Sequence, residues 1–332
     1  MEYINWAIVG TGGIANAFIA GLPWAEGARV GAVVSRSPAG AAAFAERWGL
    51  KTSYPDYDAM LQDPSIQAVY LGIPHPFHKD YAIRALKAKK AVLCEKPAAL
   101  NAGELSAMVE TARTAGAFFM EAMWTRFVPT LCKVREWLRD GLIGEVKRVE
   151  ANFCFNTPPN PESRLFALHL GGGALLDAGV YPISLASMVF GGKGPEKIVS
   201  LLELGQTGVD EDVSALISYG PHRVASVSAA LSTATVNDAW IYGKAGRIHL
   251  PDFVFSHRAD LAVYGKYEYH YEPEFVGNGY NYEAVAVMDC IRTGKTESEI
   301  MPWAESLSIA QTMDAIRSQW HFRYPGEASF GA

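Results

Sequence analysis

Two short stretches carry residues whose types and spacing suit proton transfer at a substrate oxygen. The first is Cys94-Glu95-Lys96-Pro97, at the end of the apolar run Ala91-Val92-Leu93. A short apolar run bounded by proline reads as a buried strand, and open α/β sheets place ligands at the carboxyl ends of such strands. An acid–base pair on that edge loses hydration unless it meets a partner, so Glu95 and Lys96 are candidates for ligand contact. The alternative is a surface ion pair at a strand end. The second stretch runs from Gly171-Gly172-Gly173 to Tyr181-Pro182 and includes Asp177. Asp177 and Tyr181 would share one face of a continuous helix. Pro182 lacks a backbone donor and disfavours helical geometry at Tyr181, so a kink or a new helix start is expected there. The glycines permit close backbone approach to a ligand or a neighbouring chain. Read structurally instead, Asp177 is a helix cap and Tyr181 a half-buried core residue.

The elements before Lys96 are those of a nucleotide-binding domain. Ile4–Val9 is β-rich and leads into Gly10-Thr11-Gly12-Gly13-Ile14-Ala15, a Gly-x-Gly-x-x-Gly/Ala pattern that opens a helix to about Leu22. Gly10 permits the tight turn, Gly12 lets the backbone approach a pyrophosphate, and Ala15 lets helix and strand pack closely. The helix start offers free N–H groups and partial positive charge to phosphates. A second strand, Val30–Val34, ends in Ser35-Arg36-Ser37. An NAD site usually carries an acid there for the ribose 2′-hydroxyl. A guanidinium flanked by hydroxyls suits a 2′-phosphate, which favours NADP(H) over NAD(H). The other reading of Arg36 is an exposed loop residue.

Helices are expected at Ala39–Trp48, from Asp58, from His78 to about Lys90, and at Ala102–Ala115, with strands at Gln67–Leu71 and Ala117–Met120. The loop Pro74-His75-Pro76-Phe77-His78 follows a strand, which makes Pro74, His75 and His78 candidate cofactor contacts. This alternation argues a Rossmann-type, doubly wound parallel sheet over residues 1–121.

Beyond Trp124 the pattern changes. After a helix of about Val128–Asp140 come alternating runs at Val146–Phe155, Lys197–Leu204, Val213–Tyr219, Val224–Leu231 and Val236–Tyr242. Few helices lie between them, so residues 122–332 are expected to form an α/β domain with an open, largely antiparallel sheet. Two helices close the chain, near Tyr282–Arg292 and Met301–Gln319.

Composition excludes several function classes. At 332 residues the chain has room for two domains, and its 49% hydrophobic and 19% charged residues describe an ordinary globular protein. A net charge of -6 without a basic block disfavours nucleic acid and anionic membrane as partners. The four cysteines, Cys94, Cys132, Cys154 and Cys290, have neither zinc-ligand spacing nor a disulfide framework, so no metal site is expected. No charged leader precedes the strand at Ile4, and no uninterrupted apolar stretch has membrane-spanning length. A cytoplasmic location is the expectation.

Taken together, Gly10–Ala15, the Pro74–His78 loop, Glu95-Lys96-Pro97 and Gly172-Gly173…Asp177…Tyr181 resemble the glucose–fructose oxidoreductase / inositol dehydrogenase (Gfo/Idh/MocA) family over nearly the whole chain. The pieces Phe119–Phe127, Gly171–Tyr181 and Thr207-Gly208-Val209-Asp210 look most like the branch containing dimeric dihydrodiol dehydrogenase and NADP-dependent D-xylose 1-dehydrogenase. Many family members carry histidine where this chain has Tyr181, and asparagine where it has His75. The resemblance implies that Glu95 and Lys96 contact the cofactor and that the Lys96–Pro97 bond can be cis. It also implies that Trp124, Arg126 and, more weakly, Phe153 lie near the substrate, and that the second sheet often packs against its copy in a homodimer.

The chemistry expected from these residues is hydride transfer between NADP(H) and a carbon bearing a hydroxyl or carbonyl, on a sugar or cyclic diol. Oxidation needs a base for the hydroxyl proton, and reduction an acid to return it. A free tyrosine, with a pKa of about 10, is too weak an acid to serve as a base near neutrality. A neighbouring ammonium lowers that value. Lys96 would supply the charge and Asp177 would orient the pair, while the choice of proton carrier between Lys96 and Tyr181 stays open. The alternatives are a lyase or glycosidase that oxidises its sugar transiently with tightly held NAD(P), a non-catalytic NADP-sensing protein, and a purely structural subunit that binds no dinucleotide.

Overall fold

The computed structural model describes residues 3–327. The outermost residues of both expected domains, 1–2 and 328–332, lie outside the described residues. Two compact units emerge. One holds the chain up to Ala99 with Gly103–Val128 and Phe275–Trp303; the other holds Leu100–Ala102, Pro129–Glu274 and the chain from Ala304. Reading in chain order expects a single crossing near Glu121, whereas the helix Tyr280–Arg292 returns to the first unit.

The first unit is built on six strands: β1 (Ile4–Val9), β2 (Ala28–Val34), β3 (Ser53–Tyr54), β4 (Ala68–Leu71), β5 (Ala91–Glu95) and β6 (Phe119–Ala122). Their order is β3-β2-β1-β4-β5-β6 and every pair is parallel, the doubly wound arrangement. β4 and β5 are buried along their whole length, which is why they read as continuous apolar runs instead of alternating ones. Short local signals set the helix ends. Ser37 Oγ accepts from Gly40 N at 3.1 Å and starts the helix Pro38–Trp48, which ends at Gly49 with φ +64°. β6 begins two residues later than the sequence suggests and includes Glu121, whose side chain accepts from Ala98 N at 2.9 Å. That bond gives an acidic side chain inside a buried strand one partner.

The second unit is an eight-stranded sheet: β7 (Val146–Cys154), β8 (Lys197–Leu204), β9 (Asp210–Ser218), β10 (Val224–Ala230), β11 (Ala239–Gly243), β12 (Gly246–Leu250), β13 (Ala259–Val263) and β14 (Tyr267–Tyr271). Their order is β14-β13-β12-β11-β7-β10-β9-β8, antiparallel throughout except where β7 meets β10. The helix Val180–Phe190 packs on β7 and β10 and covers one face. The opposite face leaves Val199, Leu201 and Leu216 more than half exposed on β8 and β9. The segment Leu168–Phe190 is long and apolar enough to pass for a membrane span, yet 89% of its most apolar window is buried in the protein. It is the core helix of this unit, and Asp177 interrupts its apolar run.

Candidate active site

In the first unit, the turn between β1 and the helix Gly13–Gly21 is shaped by its own glycines. Gly10 has φ +102°, and a side chain there would overlap the Gly72 carbonyl. A Cβ at Gly12 or Gly13 would meet nothing within 4 Å, so the protein itself does not fill that space. The helix start has no side-chain cap and no acid in its first turn. Open space in front of uncapped N–H groups fits a phosphate group, so these residues suit a dinucleotide. Ala15 is fully buried, and a Cβ at Gly72 would sit 3.6 Å from its methyl, the close helix–strand contact that a small residue permits. Asn16, not singled out from sequence, braces the turn: its Nδ2 donates to the Gly12 carbonyl at 2.8 Å and its Oδ1 accepts from Trp48 Nε1 at 3.0 Å.

Beyond β2, both serines of Ser35-Arg36-Ser37 face their own backbone. Ser35 Oγ accepts from Ser37 N at 3.4 Å, and Ser37 Oγ caps the next helix. Arg36 is exposed, its guanidinium 5.3 Å from the Phe77 ring centroid. The residue expected to read a 2′-phosphate thus stands beside the Pro74–His78 loop. His78 is fully buried, with Nε2 2.7 Å from the Ile73 carbonyl and Nδ1 3.1 Å from the Pro97 carbonyl. It ties that loop to the segment after Lys96. His75, also buried, meets the His78 ring edge-on at 5.6 Å.

At the carboxyl end of β5 the Lys96–Pro97 peptide is cis. Glu95 is buried and both its oxygens are engaged: Oε1 accepts from the Tyr70 hydroxyl at 2.5 Å and Oε2 from Lys96 N at 3.2 Å. Burial, followed by the Glu95 charge, holds the Tyr70 phenol well above its usual range, so it stays protonated and donates. Burial and the same charge push the Glu283 carboxyl well above the usual carboxylate range. Glu283, on the helix Tyr280–Arg292, therefore favours its neutral form. Lys96 is half-buried. Trp124 and Arg126 are buried in the short helical turn after β6, where the Trp124 ring lies 5.1 Å from that of Tyr280.

In the second unit, Tyr181 and Asp177 stand on one helical segment, as their spacing requires, but its geometry is not uniform. Leu175–Gly179 is a π turn and Val180–Phe190 is α-helical, running through Pro182. The kink or fresh start expected at Pro182 is replaced by this wider turn just ahead of it. Proline removes one N–H from the ladder, and a π turn is a common way for a helix to absorb such a mismatch, often at functional sites. Both residues are 8% exposed. Asp177 Oδ1 accepts from Arg164 at 2.7 Å, with the guanidinium half-exposed. The Tyr181 ring meets Phe153 of β7 edge-on at 5.5 Å and 87°, and Phe153 also contacts Phe155 and Phe255. Gly172 and Gly173 serve the chain's own packing. A Cβ at Gly172 would overlap the carbonyls of Arg164 and Leu165, and one at Gly173 the Asp210 carboxylate. Among the described residues no cluster of His, Cys, Asp or Glu could hold a metal ion.

Comparison with known proteins fits this geometry. Residues 4–123 match the oxidoreductase family with an NAD-binding Rossmann fold, and residues 131–249 match the GFO/IDH/MocA C-terminal domain. The chain belongs to the GFO/IDH/MocA oxidoreductase family. It is 36% identical to a trans-1,2-dihydrobenzene-1,2-diol dehydrogenase of Xenopus laevis, over 97% of this chain and 99% of that one. Among solved structures, a 3-ketoreductase from Actinomadura kijaniata, in complex with NADP and TDP-benzene, superposes with a TM-score of 0.83 at 26% identity, covering 96% of this chain and 98% of that one. A levoglucosan dehydrogenase in complex with NADH and levoglucosan shares the fold, with a TM-score of 0.86 at 22% identity and coverage of 95% and 96%. This GFO/IDH/MocA member is thus an enzyme of oxidoreductase type with a nicotinamide-dinucleotide domain. Sequence reasoning missed Tyr70, Glu283 and Arg164 as supporting residues, and took Asp210 only as part of a piece that marks the family branch. Each acquires its partner only through the fold.

Proposed function

We propose that the chain is an NADP-dependent oxidoreductase that interconverts a hydroxyl and a carbonyl carbon of a sugar or cyclic diol, in the manner of a trans-dihydrodiol or D-xylose 1-dehydrogenase. The observation that carries it is Lys96, half-buried on the same sheet edge as an open glycine turn, beside a carboxylate already engaged by Tyr70. The names of the dihydrodiol dehydrogenase and 3-ketoreductase relatives support the substrate class. Gly10, Thr11, Gly12, Gly13, Ile14 and Ala15 hold the pyrophosphate, while Glu95, Pro74, His75 and His78 shape the rest of the cofactor site. When bound, the dinucleotide supplies or accepts the hydride. The proton is the protein's share. Tyr181 takes it from a substrate hydroxyl or returns it to a carbonyl, and the Lys96 ammonium favours the phenolate and stabilises the oxygen. Asp177, held by Arg164, orients the tyrosine; Trp124, Arg126 and Phe153 line the substrate. Thiols that form no disulfide among the described residues suit a reducing, cytoplasmic setting.

Reduction of NADP⁺ and NAD⁺ should be assayed against pentoses, hexoses, anhydro-sugars and cyclic diols. NADP⁺-dependent turnover of at least one is expected. Cofactor that survives gel filtration with no net reduction during turnover would mark a lyase or glycosidase, and bound cofactor without turnover a sensor.

Arg36 tests the cofactor assignment. Removing a charge-assisted contact to a phosphate costs roughly 1.5–3 kcal/mol, about 10- to 150-fold in affinity. Calorimetric titration of Arg36→Ala should show that loss for NADPH and little change for NADH. Equal losses for both, or a wild-type preference for NAD, would mean that the phosphate is not read at Arg36.

A homodimer on the uncovered face of the second sheet follows from its exposed apolar residues. Val199, Leu201 and Leu216 form a patch of the kind that marks an interface, and a closed two-fold pair is the commonest arrangement. Sedimentation equilibrium should give twice 36.1 kDa at micromolar concentration. A particle of monomer mass removes the idea.

A further inference from the structure

We propose that Asp210 is a positioning residue, the anchor that sets the helix bearing Asp177 and Tyr181 at its working height. The inference rests on the reading of Tyr181 as proton carrier and adds the group that keeps it in place. Asp210 opens β9, where its backbone pairs with Leu204 of β8. The adjoining Glu211 carbonyl accepts from Leu231 N at 2.8 Å. The origin of the carboxylate is thus fixed by the sheet, independently of the helix. Its side chain is fully buried, and Oδ2 accepts from Leu175 N, the first residue of the π turn, at 2.5 Å. Ala174, at the helix entry, has no side-chain cap. An acceptor delivered from another strand therefore does what a local Ser, Thr or Asp does at most helix starts.

Two further features hold the joint closed. Gly173 has φ +131°, and a Cβ there would collide with Asp210 Oδ1, so only glycine allows the helix entry to sit on the carboxylate. From the opposite end of the sequence, the Tyr324 hydroxyl donates to the Gly172 carbonyl at 2.8 Å. Tyr181 stands six residues beyond Leu175, roughly 9 Å at the helical rise per residue. A helix is stiff over that length, so a slip at its start moves the tyrosine by a similar amount. Misplacing a reacting group by about 1 Å costs on the order of 10²-fold in rate.

The anchor also carries a titration. The N–H groups of Leu175, Asp210 itself and Ala174 and the Arg317 charge favour its ionised form; the Tyr324 phenol feels the Asp210 charge, and Glu327 and Asp177 act on that phenol in turn. Burial outweighs them and pushes the carboxyl up to about 7. An acid with a raised value in the folded state holds a proton there that the unfolded chain releases. Its contribution to stability is full below about pH 4 and is lost as pH rises through about 7.

The test uses the full chain, with NADP⁺ reduction on D-xylose and on trans-1,2-dihydrobenzene-1,2-diol as probes, NADPH affinity by calorimetry, and Tm from about pH 4 to 8. Asp210→Ala should lose about 10- to 100-fold in kcat per folded molecule, with NADPH affinity within about twofold. Asp210→Asn keeps an oxygen able to accept from Leu175. It should return to within about fivefold of wild type and lose the part of the Tm decline between about pH 4 and 7 that Asp210 supplies. Wild-type kcat in Asp210→Ala would overturn the inference, as would Asp210→Asn with an unchanged Tm slope. Should Asp210→Ala not fold, turnover and Tm slope in Asp210→Asn decide alone. A slow Tyr181→Phe beside a fast Asp210→Ala sinks the anchor and leaves the tyrosine reading standing. A Tyr181→Phe at wild-type speed sinks the tyrosine reading itself and the anchor with it.

Discussion

Tyr181→Phe should lower kcat by about 10²- to 10⁴-fold, the usual loss when a positioned acid or base is removed. NADP(H) affinity should stay within a few-fold of wild type. The substitution deletes one oxygen and keeps the ring, so the edge-on contact with Phe153 survives. The helix around it is buried and continuous through Pro182, so the backbone has no reason to rearrange. A purely structural tyrosine makes the opposite prediction: a lower melting temperature with turnover per folded molecule nearly intact. Measuring kcat, NADPH affinity and Tm on one sample separates the two. If kcat stays within about threefold, the proton role passes to Lys96 or His75.

Lys96→Met is expected to be at least as damaging, and for a second reason. Methionine keeps much of the length and apolar stem of lysine but removes the charge. Lys96 is presented by a rigid edge: Glu95 is held by Tyr70, and the segment beyond Pro97 is tied to the Pro74–His78 loop through His78. With that scaffold intact, the loss belongs to the ammonium itself. We expect kcat to fall by at least about 10²-fold and NADPH to bind more weakly, which distinguishes Lys96→Met from Tyr181→Phe. The double variant should be little worse than the poorer single one, because residues acting as a unit are not additive. Losses that multiply, followed by stopped-flow single turnover, would show that Lys96 and Tyr181 act in separate steps.

How much of this was legible beforehand varied with the range of the interaction. The turn at Gly10–Ala15 and the helix Ala102–Ala115 follow from local rules: glycine where φ is positive, and helical period after a strand. β8 was legible in full at Lys197–Leu204, since alternation records one covered and one open face. β12, β13 and β14 were not recognised. β14, Tyr-Glu-Tyr-His-Tyr, is exposed on nearly every residue, so neither face writes an apolar pattern into it. The helix Tyr280–Arg292 was visible as a helix, but its place in the first unit was not, because chain order carries no information about which sheet a helix covers.

The same division runs through the site. The sequence by itself determined the residue types that can move a proton, their place at the end of a strand or on one helix, and the family to which the pattern belongs. Those properties depend on neighbours a few positions away. Tertiary structure decided that Glu95 is held by Tyr70, that Asp177 is held by Arg164, that Gly172 and Gly173 press on Arg164, Leu165 and Asp210, and that Asp177 lies in a π turn. Each of these is a contact between segments or a choice among helical registers. Its energy depends on which buried polar group finds a partner once the chain has closed around it.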